Sequence, residues 1–172
     1  MGLSRKAFEA SGGFGNIHPG EDPDLSIRLW EMGFRTRLFT KAFVFHKRRI
    51  DWSKFYKQVN KFGKARPILD RWYPTYAKFT FFAPTVFVLG IPAALVFAIF
   101  GIWHFAFAYV LYFAFAFILS ASQNNFRIGL YSLLAIMIQF YGYGTGFLKS
   151  FVFIRILRRD PQLVFPELFF KK

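Results

Sequence analysis

The sequence has no cysteine, which excludes disulfides, thiolate zinc sites and cysteine nucleophiles but says little about compartment. Carboxylates are scarce: nine Asp and Glu stand against 23 Lys and Arg, giving a formal net charge of +14. Charge of either sign is missing altogether from residues 79–126 and again from 128–148. Arg5, Lys6 and Glu9 interrupt residues 1–20, which lack an apolar core of signal-peptide length, so no cleavable signal is expected. Together these absences exclude one uniform soluble domain. A chain that is 55% hydrophobic and this basic fits a membrane protein whose polar part faces anionic lipid or phosphates. Nucleic acid is not an expected partner, because no basic module stands clear of the apolar half.

Residues 12–25 read Gly-Gly-Phe-Gly-Asn-Ile-His-Pro-Gly-Glu-Asp-Pro-Asp-Leu. A glycine-rich loop runs into two adjacent carboxylates and then into a helix start. Pro23 suits the first helical position, and Asp22 before it suits the N-cap, where its carboxylate can accept from free N–H groups. The helix is predicted over 23–32, with Leu25, Leu29 and Met32 on one side and Gly33 as its stop. Glu21 and Asp22 are thereby held on the positive end of a helix dipole. On spacing alone, capping is the commoner role for Asp22, and it is compatible with catalysis. Asp22-Pro23-Asp24 matches the letters of an Asp-x-Asp metal motif, but it lies inside the acidic pair at a helix start and is not read as a metal site.

The order Gly12-Gly13-Phe14, Gly20-Glu21-Asp22, Leu25-Ser26-Ile27-Arg28-Leu29 and Gly33-Phe34 resembles the acceptor-side motif of family 2 glycosyltransferases. These are inverting enzymes with the GT-A nucleotide-diphospho-sugar transferase fold. The resemblance covers about residues 1–70. It implies an α/β fold, the carboxy-terminal portion of a GT-A domain, followed by two or three transmembrane helices. It also implies that Asp22 is the general base for the acceptor hydroxyl, that Glu21 holds loop or acceptor geometry, and that the loop can move as a lid over the donor. Gly13, Phe14, Arg28, Gln58 and Arg66 fall on its substrate side, Arg28 more as support for the loop. The implied partners are a nucleotide-diphosphate sugar and a glycan or lipid-linked acceptor. The implied cofactor is a divalent metal, Mg or Mn, whose Asp-x-Asp ligands are expected in an amino-terminal donor-binding half preceding this segment.

Residues 35–40 and 42–46 have strand-like composition, and His46 closes them. By the same resemblance His46 faces the metal or the diphosphate, and imidazole is a common ligand for such metals. As a lone histidine it could equally be a half-exposed strand end. Lys47-Arg48-Arg49 follows, then a predicted helix over 52–65 with Phe55, Val59 and Phe62 as one stripe and Lys54, Lys57, Lys61 and Lys64 as another. Residues 47–78 hold ten Lys and Arg against two Asp, the pattern of a helix lying on anionic lipid. Processive synthases carry Gln-x-x-Arg-Trp at this place. Here the chain reads Gln58-Val59-Asn60-Lys61-Phe62, and loss of the tryptophan favours single sugar addition.

Pro67 and Pro74 are expected to bracket a turn whose Trp72, Tyr73 and Tyr76 form an interfacial belt. Apolar segments follow at 79–100, 103–120 and 128–148, each near the ~20 residues that span a bilayer. Gly142, Gly144 and Gly146 end the third, where helices can approach closely. Three full crossings would carry the basic tail, 149–172, to the far side, against the positive-inside rule. Either the third segment is re-entrant, its glycines allowing a turn back, or the chain tolerates a basic tail outside; incomplete crossing is the favoured expectation. His104 and Gln139 inside the apolar stretches are read as helix–helix hydrogen-bonding groups. The expected location is an integral membrane position, the bacterial inner membrane, with the catalytic part cytoplasmic. The rival readings are a non-catalytic membrane anchor and a polysaccharide export component.

Overall fold

The computed structural model describes residues 2–45 and 51–170. Among the described residues there are seven α-helices: α1 Arg5–Ser11, α2 Glu21–Glu31, α3 Trp52–Trp72, α4 Ala83–Ile99, α5 His104–Gln123, α6 Phe126–Ser150 and α7 Pro161–Val164. No sheet forms among the described residues, where one isolated antiparallel bridge joins Ile17 to Phe169. The α/β expectation is therefore not met by these residues. Residues 35–45 have neither helix nor strand, although Leu38, Val44 and Phe45 are 87%, 88% and 97% exposed. A strand exists only when a neighbour takes its backbone donors and acceptors, and among the described residues no other segment pairs its backbone with this one, although Trp30 Nε1 donates to the Thr36 hydroxyl at 3.1 Å.

The two amino-terminal helices are set by their caps. Ser4 Oγ accepts from the N–H of Ala7 at the start of α1, and Gly12 ends it at φ 71°, a left-handed conformation natural to glycine. Gly20, at φ 127°, is the N-cap of α2. The helix thus begins at Glu21, two residues earlier than the sequence suggests. Asp22 is in its first turn and is not the cap, and Pro23 is tolerated there because first-turn N–H groups have no helical partner. Leu25 and Leu29 bury against Ala7, with Phe34 packed alongside. Phe8 of α1 is exposed.

Helix α3 runs straight through Pro67, where the sequence expects a turn. Burial outweighs the lost hydrogen bond: Pro67, Ile68, Leu69 and Asp70 are all covered. Only Pro74–Tyr76 forms the short turn. The covering elements are α6 and the tail. Helix α6 is 25 residues long, continuous through its glycines, so they do not turn the chain back. Gly142 and Gly146, four apart on one face, let α3 approach at Val59 and Asn60, while Gly144 faces Pro84 of α4. Asn60 Nδ2 donates to the Gly142 carbonyl at 2.9 Å, and Thr85 Oγ1 to that of Gly144 at 3.0 Å. Val59, in the apolar stripe of α3, is therefore covered by α6, whereas Phe62 of the same stripe stays exposed.

Two helical stretches, Phe79–Ile99 and His104–Gln123, are long and apolar enough to cross a membrane. Beyond α6 the chain makes one π-helical turn, Phe151–Ile156, and then doubles back. Phe165 and Leu168 join Ile17, Ala65, Ile68 and Ile154 in the main buried cluster. Arg71 Nη1 donates to the carbonyl of Arg159 at 2.9 Å. The basic tail thus lies beside α3 and the amino-terminal loop.

Candidate functional site

The loop between α1 and α2 is held from below by one arginine. Arg28 Nη1 donates to the carbonyl of Ser11, and Nη2 to the carbonyl of Gly13 at 2.7 Å. The same guanidinium pairs with Asp24 at 2.8 Å, and Tyr73 Oη donates to the other Asp24 oxygen at 2.7 Å. Asp24 is buried. Burial, then the hydrogen bond and charge of Asp24, push the Tyr73 phenol well above its usual range. Every Arg28 nitrogen with a described partner serves the fold, so the structure uses this residue as loop support. Gly15 passes so close to Asp24 that no side chain would fit.

This frame fixes where the acidic pair emerges. Glu21 is half-buried, and its Oε1 is 2.8 Å from His18 Nδ1. Burial works against its charge. Hydrogen bonds from its own N–H and from His18 nevertheless outweigh burial and hold its pKa below the ordinary value. Asp22, one residue on, is exposed to solvent. Both stand on the positive end of α2. The intervening His18–Pro19 peptide is cis.

Beside them lies a cavity of about 320 Å³ lined by His18, Pro19, Lys54, Lys57, Gln58, Lys61 and Phe62. That volume suits a small ligand. Among the described residues none of its three lysines has a carboxylate partner, whereas Lys64 pairs with Glu167 at 3.0 Å and Arg66 with Asp70 at 2.9 Å. The cavity wall thus carries uncompensated positive charge, which favours an anionic ligand over a neutral one.

Of the residues singled out from sequence, the structure places Gln58 on the cavity and Glu21 next to it through His18. Asp22, Gly13, Phe14, Arg28 and Arg66 are not on its wall. Phe14 packs edge-on to Phe8 at 6.3 Å. Arg66 is spent on Asp70, the Tyr76 carbonyl and the ring of Phe81, 3.7 Å below its guanidinium. His46, the proposed metal contact, lies outside the described residues, as does Lys47-Arg48-Arg49. Among the described residues no three His, Asp or Glu side chains converge as a metal site. His18 and Glu21 already bond each other, so these residues do not by themselves fit a metal.

Sequence reasoning missed His18 and assigned the cavity lysines to lipid. A signal for His18 was present: it stands three residues before Glu21, within reach of it. No signal told that Lys54, Lys57 and Lys61 share a cavity, because that needs the loop to fold over α3.

A glycine loop thus delivers an acidic pair beside a cation-lined cavity, with two apolar helices following. The family model described as glycosyl transferase family group 2 matches residues 1–121. The chain belongs to that family. Comparison with curated proteins and with solved structures gave no match. Membership carries glycosyl transfer, the movement of a sugar from a nucleotide-sugar donor to an acceptor.

Proposed function

We propose that this chain is the acceptor-side and membrane-anchoring part of an inverting glycosyltransferase acting at the membrane. The observation that carries the reading is the acidic pair at the start of α2, fixed by Arg28 and Asp24 and set beside the lysine-lined cavity. Asp22 is the general base. It is exposed, so an acceptor hydroxyl can come within direct hydrogen-bond reach of it, as proton abstraction requires. Glu21, held ionised by His18, shapes the loop. The cavity cations bind the anionic portion of a substrate, the diphosphate of a nucleotide-diphosphate sugar or the phosphate of a lipid-linked acceptor.

The remaining parts follow from the same reading. Residues 35–45 expose Leu38, Phe43, Val44 and Phe45, which supports their pairing with strands of a GT-A sheet contributed by a donor-binding half. The Mg or Mn ion would be held by an Asp-x-Asp motif there, where it would neutralise diphosphate charge, with His46 facing it. Helices α4 and α5 form the membrane hairpin. The bridge from Ile17 to Phe169 supports residues 2–78 and 124–170 sharing one face, the cytoplasmic one, near anionic lipid.

The test is Asp22→Asn in the full-length enzyme. Loss of a general base lowers the rate of sugar transfer by about 10²–10⁴-fold, with membrane insertion and melting temperature unchanged. Transfer that survives the substitution removes Asp22 from the mechanism.

A further inference from the structure

We infer that the carboxy-terminal segment, residues 160–170, is a positioning element of the active site, which holds His18 and the acidic-pair loop at the wall of the lysine cavity. The inference rests on the cavity reading above. The segment lies outside the stretch that the family model matches, 1–121.

Four contacts tie the segment to the loop at consecutive residues. Ile17 is fully buried among Phe165 and Leu168 on one side and Ala65 and Ile68 of α3 on the other. Ile17 also pairs with Phe169 as an antiparallel bridge. The N–H of His18 donates to the carbonyl of Leu168 at 2.7 Å. The imidazole of His18 lies against the ring of Phe170 with centroids 5.9 Å apart. His18 then passes the constraint on, because its Nδ1 is 2.8 Å from Glu21.

The segment is in turn anchored on α3, the helix that supplies the opposite wall. Lys64 Nζ is 3.0 Å from Glu167 and 5.7 Å from the centre of the Phe165 ring. Asp160 caps α7 by accepting from the N–H of Gln162 at 2.8 Å, which starts the fold-back at a fixed point. Loop and helix also meet directly, through Ile17 against Ala65 and Ile68, but the N–H and the ring of His18 have partners in the tail. The tail therefore sets the gap between His18 and the face of α3 that carries Lys54, Lys57, Gln58 and Lys61. A backbone pairing of this kind fixes position to a fraction of an ångström, which is what a binding wall needs.

The test uses the full-length enzyme in detergent, comparing wild type with Leu168→Asp, Phe170→Ala and Phe170→Tyr. Diethyl pyrocarbonate labelling with mass-spectrometric readout follows His18, with His104 of α5 as internal reference. We expect His18 to label two- to fivefold faster in Leu168→Asp and Phe170→Ala, at the wild-type rate in Phe170→Tyr, and His104 to stay constant. Phe170→Ala is a surface change that keeps the test valid if Leu168→Asp does not fold. An unchanged His18 rate in Phe170→Ala overturns the proposal. Inorganic pyrophosphate is the binding probe for the cavity, and Phe170→Ala should weaken it three- to tenfold, with recovery in Phe170→Tyr. Equal affinity in wild type and Phe170→Ala also overturns the positioning role. A wild-type enzyme that binds no pyrophosphate overturns the cavity reading instead, and the labelling then decides the role of the tail alone.

Discussion

Tyr73 Oη donates to Asp24 Oδ1 at 2.7 Å across 49 positions of sequence, tying the end of α3 to the first turn of α2. Because Asp24 also pairs with Arg28, and Arg28 holds the carbonyls of Ser11 and Gly13, one chain of polar contacts runs from the end of α3 to the glycine loop. Asp24→Ala leaves the Arg28 guanidinium without its counter-ion and should cost about 3 kcal/mol. Tyr73→Phe removes one hydrogen bond and should cost about 1 kcal/mol. Melting temperatures in detergent rank the two, and equal shifts would remove the ion pair from its central place.

The α3–α6 contact predicts intolerance to a single methyl group. A Cβ on Gly63 would meet the carbonyl of Tyr143, and one on Gly144 would lie 2.7 Å from that of Pro84. Neither obstacle is a flexible side-chain end. Gly63→Ala and Gly144→Ala should each destabilise by about 1–3 kcal/mol through overpacking. Gly2→Ala, with nothing within 4 Å, should be silent in the same unfolding assay.

The unpaired cavity lysines predict a charge-dependent affinity. Lys57→Glu should weaken pyrophosphate binding about three- to fivefold, on the order of the ~1 kcal/mol of a partly exposed charge. The loss should shrink as salt rises, because ions screen such contacts. Lys78, which is not on the cavity wall, gives the control Lys78→Glu, whose affinity should match wild type.

The tail contact predicts a pH response of definite sign. Burial raises the Glu167 pKa, but the hydrogen bond from Lys64, its own N–H and the charges of Lys64 and Lys149 outweigh this and hold it below the ordinary value. A carboxyl with a depressed folded value adds stability that is fully present above its unfolded value, about 4.3, and is lost as pH falls through the lower folded value. Protection of residues 160–170 from hydrogen exchange should therefore decline as pH falls below about 4.3. Glu167→Gln should flatten that decline, and an unaltered profile would separate the ion pair from tail docking.

Much of this protein was legible in the residues themselves. The uncharged run 79–126 dictated apolar helices wherever the chain went, because polar groups and backbone ends must lie at their borders. The glycine loop, the acidic pair and the helix after it followed from local chemistry, and so did the stop at Gly33. Boundaries failed where a distant partner decided them. Gly20 took the cap that Asp22 was expected to provide, because its conformation at φ 127° lets His18 reach Glu21. Helix α3 passed Pro67 because α6 and the tail buried the far side of that turn.

The strand reading of 35–45 shows the converse limit, since strand-forming side chains do not make a strand without a neighbour to bond. By itself, then, the sequence determined the charge division, the apolar helices and the local geometry of the acidic pair, all consequences of residues near one another in the chain. Only the tertiary structure decided that Lys54, Lys57 and Lys61 line a cavity with His18, and that the tail grips the loop. Those relations depend on contacts between residues 36 to about 150 positions apart, and no periodicity or spacing encodes them.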